Sequence, residues 1–366
     1  MQSRASNHQA LGTSGVRKSI FGAPSCGKFR KNLVLAATFA GLGMAAFSQT
    51  QEVATDPVGF VKLTVPGQSD AVLAVPFYRA SVHKGMIQSI NGSEIVLSGS
   101  TGWAVNQLVF SAGVQNNSYA VLISSGVKEG MIAKITANST NSITVQPKVG
   151  DDLSQILTIA ANGPQSGDLV DIVPFWTPTS LITGVPNVGT QILIKPTDSP
   201  GINLSSQTTL VYNGTSWIQS ASNANHYPLE FGQSFVLRNN ATSPLVLAMS
   251  GGVPMNKFRT LIRTFTAANR QDVWFGYSSP IPEAVGNLGL GFSPGDQLVV
   301  YDNATVGKNK SASQTLVYNG TAWLLGGSNV NTTFFLQPGN GYVFRKNNAA
   351  LTNQIITWES LPSYLD

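Results

Sequence analysis

The sequence predicts an all-β protein built of tandem β-sandwich or barrel-like units, with short hairpins and at most single helical turns. Three observations predict it. Short runs of β-branched and aromatic residues are punctuated throughout by Asn, Gly and Pro. Helical periodicity is scarce, and only "PTSLI" (178–182) and "PEAVGNL" (282–288) suit a helical turn. The phrase "TLVYNGTSW" at 209–217 returns as "TLVYNGTAW" at 315–323, an offset of 106 residues.

The first element is a leader. Arg4, Arg17, Lys18, Lys28, Arg30 and Lys31 precede the apolar run "NLVLAATFAGLGMAAF" (32–47), and no acid lies among them. Ala46-Phe47-Ser48 supplies a small-x-small cleavage pattern, so residues 1–48 read as a signal peptide cut after Ser48, with a retained anchor as the rival. Its removal leaves 16 cations against 17 acids, a net charge of −1. The basic pI therefore belongs to the leader and gives no support for a nucleic-acid partner. Cys26, the single cysteine, also lies there, so the mature chain has no disulfide, thiolate metal site or cysteine nucleophile. No stretch after the leader is long and apolar enough for a membrane-spanning helix.

Residues 49–163 follow as an N-terminal β-module. "KGMIQSINGSEIVL" from Lys84 resembles "EGMIAKITANSTNSITV" from Glu129, each a strand, a turn and a strand. The stretch "AANGPQSG" (160–167) reads as a linker or loop. Residues 164–366 then form a tandem repeat of two β-units, about 164–262 and 263–366. "QILIKPTDSPGINLSSQTTL" from Gln191 matches "QLVVYDNATVGKNKSASQTL" from Gln297, and "GQSFVLRNN" from Gly232 matches "GNGYVFRKNN" from Gly339. "DLVDIVPFWTPTSLI" from Asp168 lines up loosely with "DVWFGYSSPIPEAV" from Asp272. In the repeated phrase, Asn213-Gly214 and Asn319-Gly320 predict two-residue type I′ turns. Such turns set Tyr212 opposite Thr215 and Leu210 opposite Trp217, giving each hairpin a Leu-Tyr-Trp face.

The combination of "DIVPFWTPTSLI", "YDNATVGKNKSASQTLVYNGTAW" and "GQSFVLRNN…MSGGVPM" resembles a family of uncharacterised secreted proteins from Verrucomicrobia-type bacteria. The resemblance covers nearly the whole mature chain and implies export and the repeat. It implies no activity, cofactor or catalytic residue.

No catalytic constellation stands out. His83 and His226, the two histidines after the leader, are far apart, with no partner at ligand spacing. "SSG" (124–126) and "MSGGVP" (249–254) lack the nucleophile elbow, and "GNLGLG" (286–291) lacks dinucleotide spacing. Asp151-Asp152 and Asp168/Asp171 point to opposite sides of an extended strand, so a glycoside-cleaving carboxyl pair has to come from tertiary structure. The oxygen-rich loops "KPTDSPGINLS" (195–205) and "YDNATVGKNKS" (301–311) offer Asp198, Asp302 and Asn303 as calcium ligands, against a reading as polar Asx turns. Trp217 and Trp323, with Tyr212 and Tyr318, are either sugar-stacking platforms or the core anchors of their sheets. Arg238 and Arg345 recur at equivalent strand ends, where pairing with an acid is the default.

These features favour a secreted, non-catalytic envelope, matrix or adhesion-type structural protein. A carbohydrate-binding protein using exposed aromatics is the second reading and a polysaccharide hydrolase the third. The expected partners are polysaccharide or envelope components, and the expected location is extracellular, cell-surface or periplasmic.

Overall fold

A computed structural model describes residues 56–197, 199–264, 270–347 and 354–366, so the leader lies outside the described residues. The described residues are nearly all β, with no helix of seven residues or more among them. Pro178–Leu181 makes one α-helical turn and Val285–Asn287 one 3-10 turn, at the places where proline suited them. Thr177 starts the first: its Oγ1 accepts from Ser180 N and Ser180 Oγ accepts from Thr177 N, with Pro178 in the first helical position.

Two six-stranded antiparallel sheets carry the repeat. The first runs Ser222–Asn223, Trp217–Gln219, Thr208–Tyr212, Gln191–Ile194, Ser234–Asn239 and Ser69–Ala74. The second runs Ser328–Asn329, Trp323–Leu325, Gln314–Tyr318, Gln297–Val300, Gly341–Lys346 and Gln271–Gly276. Each is accompanied by a two-stranded ribbon, Val58–Val65 with Leu245–Gly252 in one repeat and Phe258–Arg263 with Ile355–Ser360 in the other.

The segmentation therefore differs from the sequence reading. The counterpart of Gln271–Gly276 is Ser69–Ala74, which pairs with Ser234–Asn239 across the division expected at 163/164. Leu169–Pro174, aligned with Asp272 by sequence, instead closes a barrel. The division near 262/263 falls inside the strand Phe258–Arg263. Between Ser69–Ala74 and the rest of its sheet, the first repeat carries an inserted six-stranded closed barrel, His83–Asn91, Glu94–Leu97, Ser142–Gln146, Ile132–Asn138, Tyr119–Ile123 and Leu169–Pro174. The two echoing segments from Lys84 and Glu129 are its hairpins. Ile87, Ile95, Val121, Ile135, Ile143 and Ile172 fill its interior, so the barrel is a packed core and not a channel.

The repeated phrase folds as a hairpin in a different register. Tyr212 pairs with Trp217, Val211 with Ile218 and Leu210 with Gln219, and the second copy pairs Tyr318 with Trp323. The loop has four residues because Asn213 caps it with its side chain. Its Oδ1 accepts from Thr215 N at 3.0 Å and Ser216 N at 2.9 Å. Only Gly214 and Gly320 take positive φ, both 105°. An Asx cap removes the need for a left-handed asparagine, which a type I′ turn requires. Leu210, Tyr212 and Trp217 still share one face, now wholly buried.

The backs of the two sheets pack on each other. Val72, Val236, Trp274, Val299 and Val343 form an apolar cluster separate from the core of either repeat. With both faces covered, Ser69–Ala74 is buried at every position and reads as a continuous run, not an alternating one. Small residues allow the close approach: a Cβ on Gly276 would stand 1.9 Å from Ala74 Cβ, and one on Gly341 would stand 2.5 Å from Ser234 Cβ. Gly276 and Gly341 are cross-strand partners, as are Ala74 and Ser234, so one small pair meets the other.

Candidate functional site

The groove between the two sheets gathers two arginine–carboxylate pairs and two lysines. In the first repeat, Arg238 on the strand Ser234–Asn239 faces Asp70 on Ser69–Ala74, its register partner. Nε and Nη2 donate to the two carboxylate oxygens at 2.7 and 2.8 Å. In the second repeat, Arg345 and Asp272 are likewise register partners, at 2.7 and 3.0 Å. Both are bidentate, the geometry in which guanidinium and carboxylate fit best. The acids expected at the two arginine strand ends are thus present.

Each pair is then gripped by a loop of the other repeat. Asn309 N donates to Asp70 Oδ2 at 2.7 Å, Arg238 Nη2 donates to Asn309 Oδ1 at 2.6 Å, and Asp70 N donates to Gly307 O at 2.9 Å. Reciprocally, Asn203 N donates to Asp272 Oδ2 at 2.7 Å, Arg345 Nη2 donates to Asn203 Oδ1 at 2.9 Å, and Asp272 N donates to Gly201 O at 3.0 Å. Asn203 and Asn309 sit in the left-handed region, with φ of 53° and 51°. A short amide side chain tolerates that conformation, and here it leaves backbone N–H and side-chain oxygen on the same ion pair. Burial alone would raise the Asp70 carboxyl, but Arg238, Asn309 N–H and Lys310 outweigh it and hold the group below its usual value.

The two oxygen-rich loops are therefore clasps between repeats. Asp198 lies outside the described residues. Asp302 Oδ1 accepts from Ala304 N at 2.8 Å and its Oδ2 from the Thr305 hydroxyl, which holds the carboxyl low. Asn303 faces elsewhere: its Oδ1 accepts from Val72 N at 2.8 Å and its Nδ2 donates to Val72 O at 2.9 Å, extending the outer edge of Ser69–Ala74 as a strand would. Asp302 and Asn303 do not converge on one point, and no cluster of three or more His, Cys, Asp or Glu suited to a metal occurs among the described residues.

Trp217 and Trp323 are core anchors, at 2 % and 1 % exposure, and cannot serve as stacking platforms. Each backbone N–H donates to the Asn eight residues on, Asn225 at 2.7 Å and Asn331 at 2.8 Å. Tyr212 and Tyr318 lean on these tryptophans and donate their hydroxyls to Gly214 O and Gly320 O, each at 3.0 Å. Phe175 and Trp176 are buried as well.

Two of the hollows among the described residues bear on function. One, about 550 Å³, lies in the inter-repeat groove, flanked by both ion pairs together with Lys195, Lys310, Trp274 and Tyr301. The other, about 590 Å³, opens where a barrel loop overhangs the first repeat. There Phe110 stacks on His226 with ring centres 3.4 Å apart, beside Asn116, Asn117, Thr179 and Asn225. Burial pushes the His226 imidazole below its usual value, and the charge of Lys134 adds to this. In the second repeat, Thr332 stands at the position of His226 and no barrel is inserted.

Sequence reading passed over Asp70, Asn203, Asn309, Lys195 and Trp274. The signal for the clasps was present: Gly201 and Asn203 recur as Gly307 and Asn309 at the offset of 106 inside the matched segments. No family model matches the chain, and neither a curated protein nor a solved structure matches it.

Proposed function

We propose that the chain is an exported, non-catalytic structural component of an envelope, matrix or adhesive layer. The observation carrying this reading is the use made of its buried acids. Asp70 and Asp272 hold arginines, and Asp151 holds Lys128 and Arg259. Asp168 accepts from Leu157 N and Ser125 Oγ, Asp296 from Phe292 N and Ser293 N, and Glu283 from Ser363 N. Each of these carboxylates has a fixed partner that positions backbone or joins elements. A hydrolytic pair would instead have to flank a cleft with its two carboxyls about 5–10 Å apart. Export rests on the leader in the sequence. The test is fractionation of producing cells with a membrane-impermeant amine label. Abundant surface-labelled protein supports the reading, and scarce protein labelled only after lysis overturns it.

A carbohydrate-binding reading is favoured by one observation, the uncharged cleft at Phe110 and His226. A stacked ring pair beside asparagine amides and a threonine hydroxyl is suited to a neutral sugar. Retention on immobilised neutral polysaccharide, abolished in Phe110→Ala, tests it; equal retention of the variant refutes it.

A further inference from the structure

The inter-repeat groove holds an imbalance that the ion pairs do not cancel. Arg238, Arg345, Lys195 and Lys310 line it with Asp70, while Asp272 lies behind Arg345 and Asp302 near Lys310, so four cations meet three acids among the described residues. The carboxylates of Asp70 and Asp272 are fully engaged by the bidentate pairs and the clasp N–H groups. Each arginine keeps its Nη1 without a hydrogen-bond partner among the described residues. Among the described residues, Lys195 Nζ donates only to Leu204 O, at 2.8 Å, and Lys310 Nζ only to the carbonyls of Asp302 and Thr305. Both ammonium groups are thus partly desolvated with carbonyls and no carboxylate in contact. Burial pushes both amines below their usual value, with Arg238 adding to the effect at Lys195.

An independent observation comes from Trp274. It lines both this groove and the adjoining hollow beside Gln233 and Val273, is 7 % exposed, and its indole N–H is buried with no hydrogen-bond partner among the described residues. A buried unpaired donor is costly and marks a place where an acceptor belongs. Lys195 Nζ lies 5.1 Å from the Trp274 ring centre, and Tyr301 stacks on the same indole at 6.0 Å and 17°. The repeat does not explain these residues. The partner of Lys195 at the 106-residue offset is Tyr301 and that of Lys310 is Leu204, so the cations are additions to the shared plan.

We propose that this groove is a binding site for a multiply charged oxyanion, seated between Lys195, Lys310 and the free Nη1 groups of Arg238 and Arg345, with Trp274 as an added donor. Carboxylate, sulfate and phosphate groups share the required chemistry: several acceptor oxygens and negative charge. The half-buried Tyr301 ring beside the cations gives an apolar wall against which a sugar ring fits, so an acidic saccharide is one source and a free inorganic ion the other. The inference stands apart from where the protein resides.

The test uses the full mature chain labelled with 15N. Trp274 is one of six tryptophans, and its indole resonance is identified by its loss in Trp274→Phe. Inorganic sulfate and an oligomer of galacturonate are titrated separately against sodium chloride of equal ionic strength. The expected result is a saturable shift of the Trp274 resonance, with affinity falling about tenfold or more in Lys195→Met/Lys310→Met. The other five indole resonances report that the variant is folded, and a variant that fails this check is replaced by the single Lys310→Met. Tighter binding of the oligomer than of sulfate identifies an acidic saccharide, and equal or weaker binding identifies a free ion. A Trp274 resonance that moves no more than in matched sodium chloride overturns the proposal, as does undiminished binding by the folded double variant.

Discussion

Replacing Arg345 by methionine tests whether the clasps hold the repeats together. Methionine keeps most of the aliphatic stem, so the change removes mainly the guanidinium. It deletes two charge-assisted bonds to Asp272, at 2.7 and 3.0 Å, and one to Asn203 at 2.9 Å. The Asp272 side chain is 3 % exposed and that of Arg345 14 %, so the stranded carboxylate stays out of water. Breaking one side of a buried pair costs about 3–5 kcal/mol. The lower end applies here, about 3 kcal/mol, because Asn203 N still donates to Asp272 and the arginine was partly solvated. For a chain of this size that corresponds to a fall in melting temperature of about 4–5 °C. Calorimetry of wild type, Arg345→Met, Asp272→Asn and the double variant closes the cycle, with a coupling of about 2 kcal/mol expected between the two sites. A fall below about 2 °C, or single effects that simply add, would refute the reasoning.

Other expectations follow from the same geometry. Gly276→Ala puts a Cβ against Ala74 and costs about 1–3 kcal/mol, and adding Ala74→Gly restores most of the loss; urea midpoints measure both. The Asp70 carboxyl is held below its ordinary value, so its contribution is present above the unfolded pKa and lost as the pH falls through the folded one. The stability gap between wild type and Asp70→Asn therefore narrows between about pH 5 and about pH 3, and a constant gap rejects the assignment. Asp171 runs the other way. Burial raises its carboxyl despite Lys84 at 3.8 Å, so ionising it costs the folded state more than the unfolded chain, and Asp171→Asn gains stability at neutral pH in the same urea titration. Asn319→Ala removes the cap on Thr321 N and Ala322 N and lowers stability by about 1 kcal/mol, with Asn319→Asp retaining most of it.

Much of the architecture was legible because it rests on local signals. Turn residues, β-branched runs and the offset of 106 identified strands, hairpins and the duplication from neighbouring letters alone. The exchange of Ser69–Ala74 into a sheet whose next member begins at Gln191 was not legible. Every interior position of that strand is buried, so its pattern carries no alternation to show which faces are covered, and its partner lies 165 residues away at Ser234. The hairpin register failed for a related reason. Asn-Gly predicts positive φ at both positions, but a side-chain cap does the same work with one. Calcium ligation stayed open beside the favoured Asx-turn reading of the clasp loops because asparagine and aspartate oxygens look alike whether they meet a cation, a backbone N–H or a guanidinium. Only tertiary structure says which.

The reciprocal clasp has a further consequence. Each repeat offers the other the same ion pair and receives the same loop, the self-complementary arrangement by which two identical subunits close a twofold dimer. Here both partners sit on one chain, and such an interface is finished once formed. No second copy of that surface is left over to recruit another molecule, and the contact cannot propagate into a fibre. A chain of this kind that builds extended layers has to join its neighbours through a different face, and among the described residues the two-residue strands at the far sheet edges, exposed at both positions, are unpaired edges of that sort.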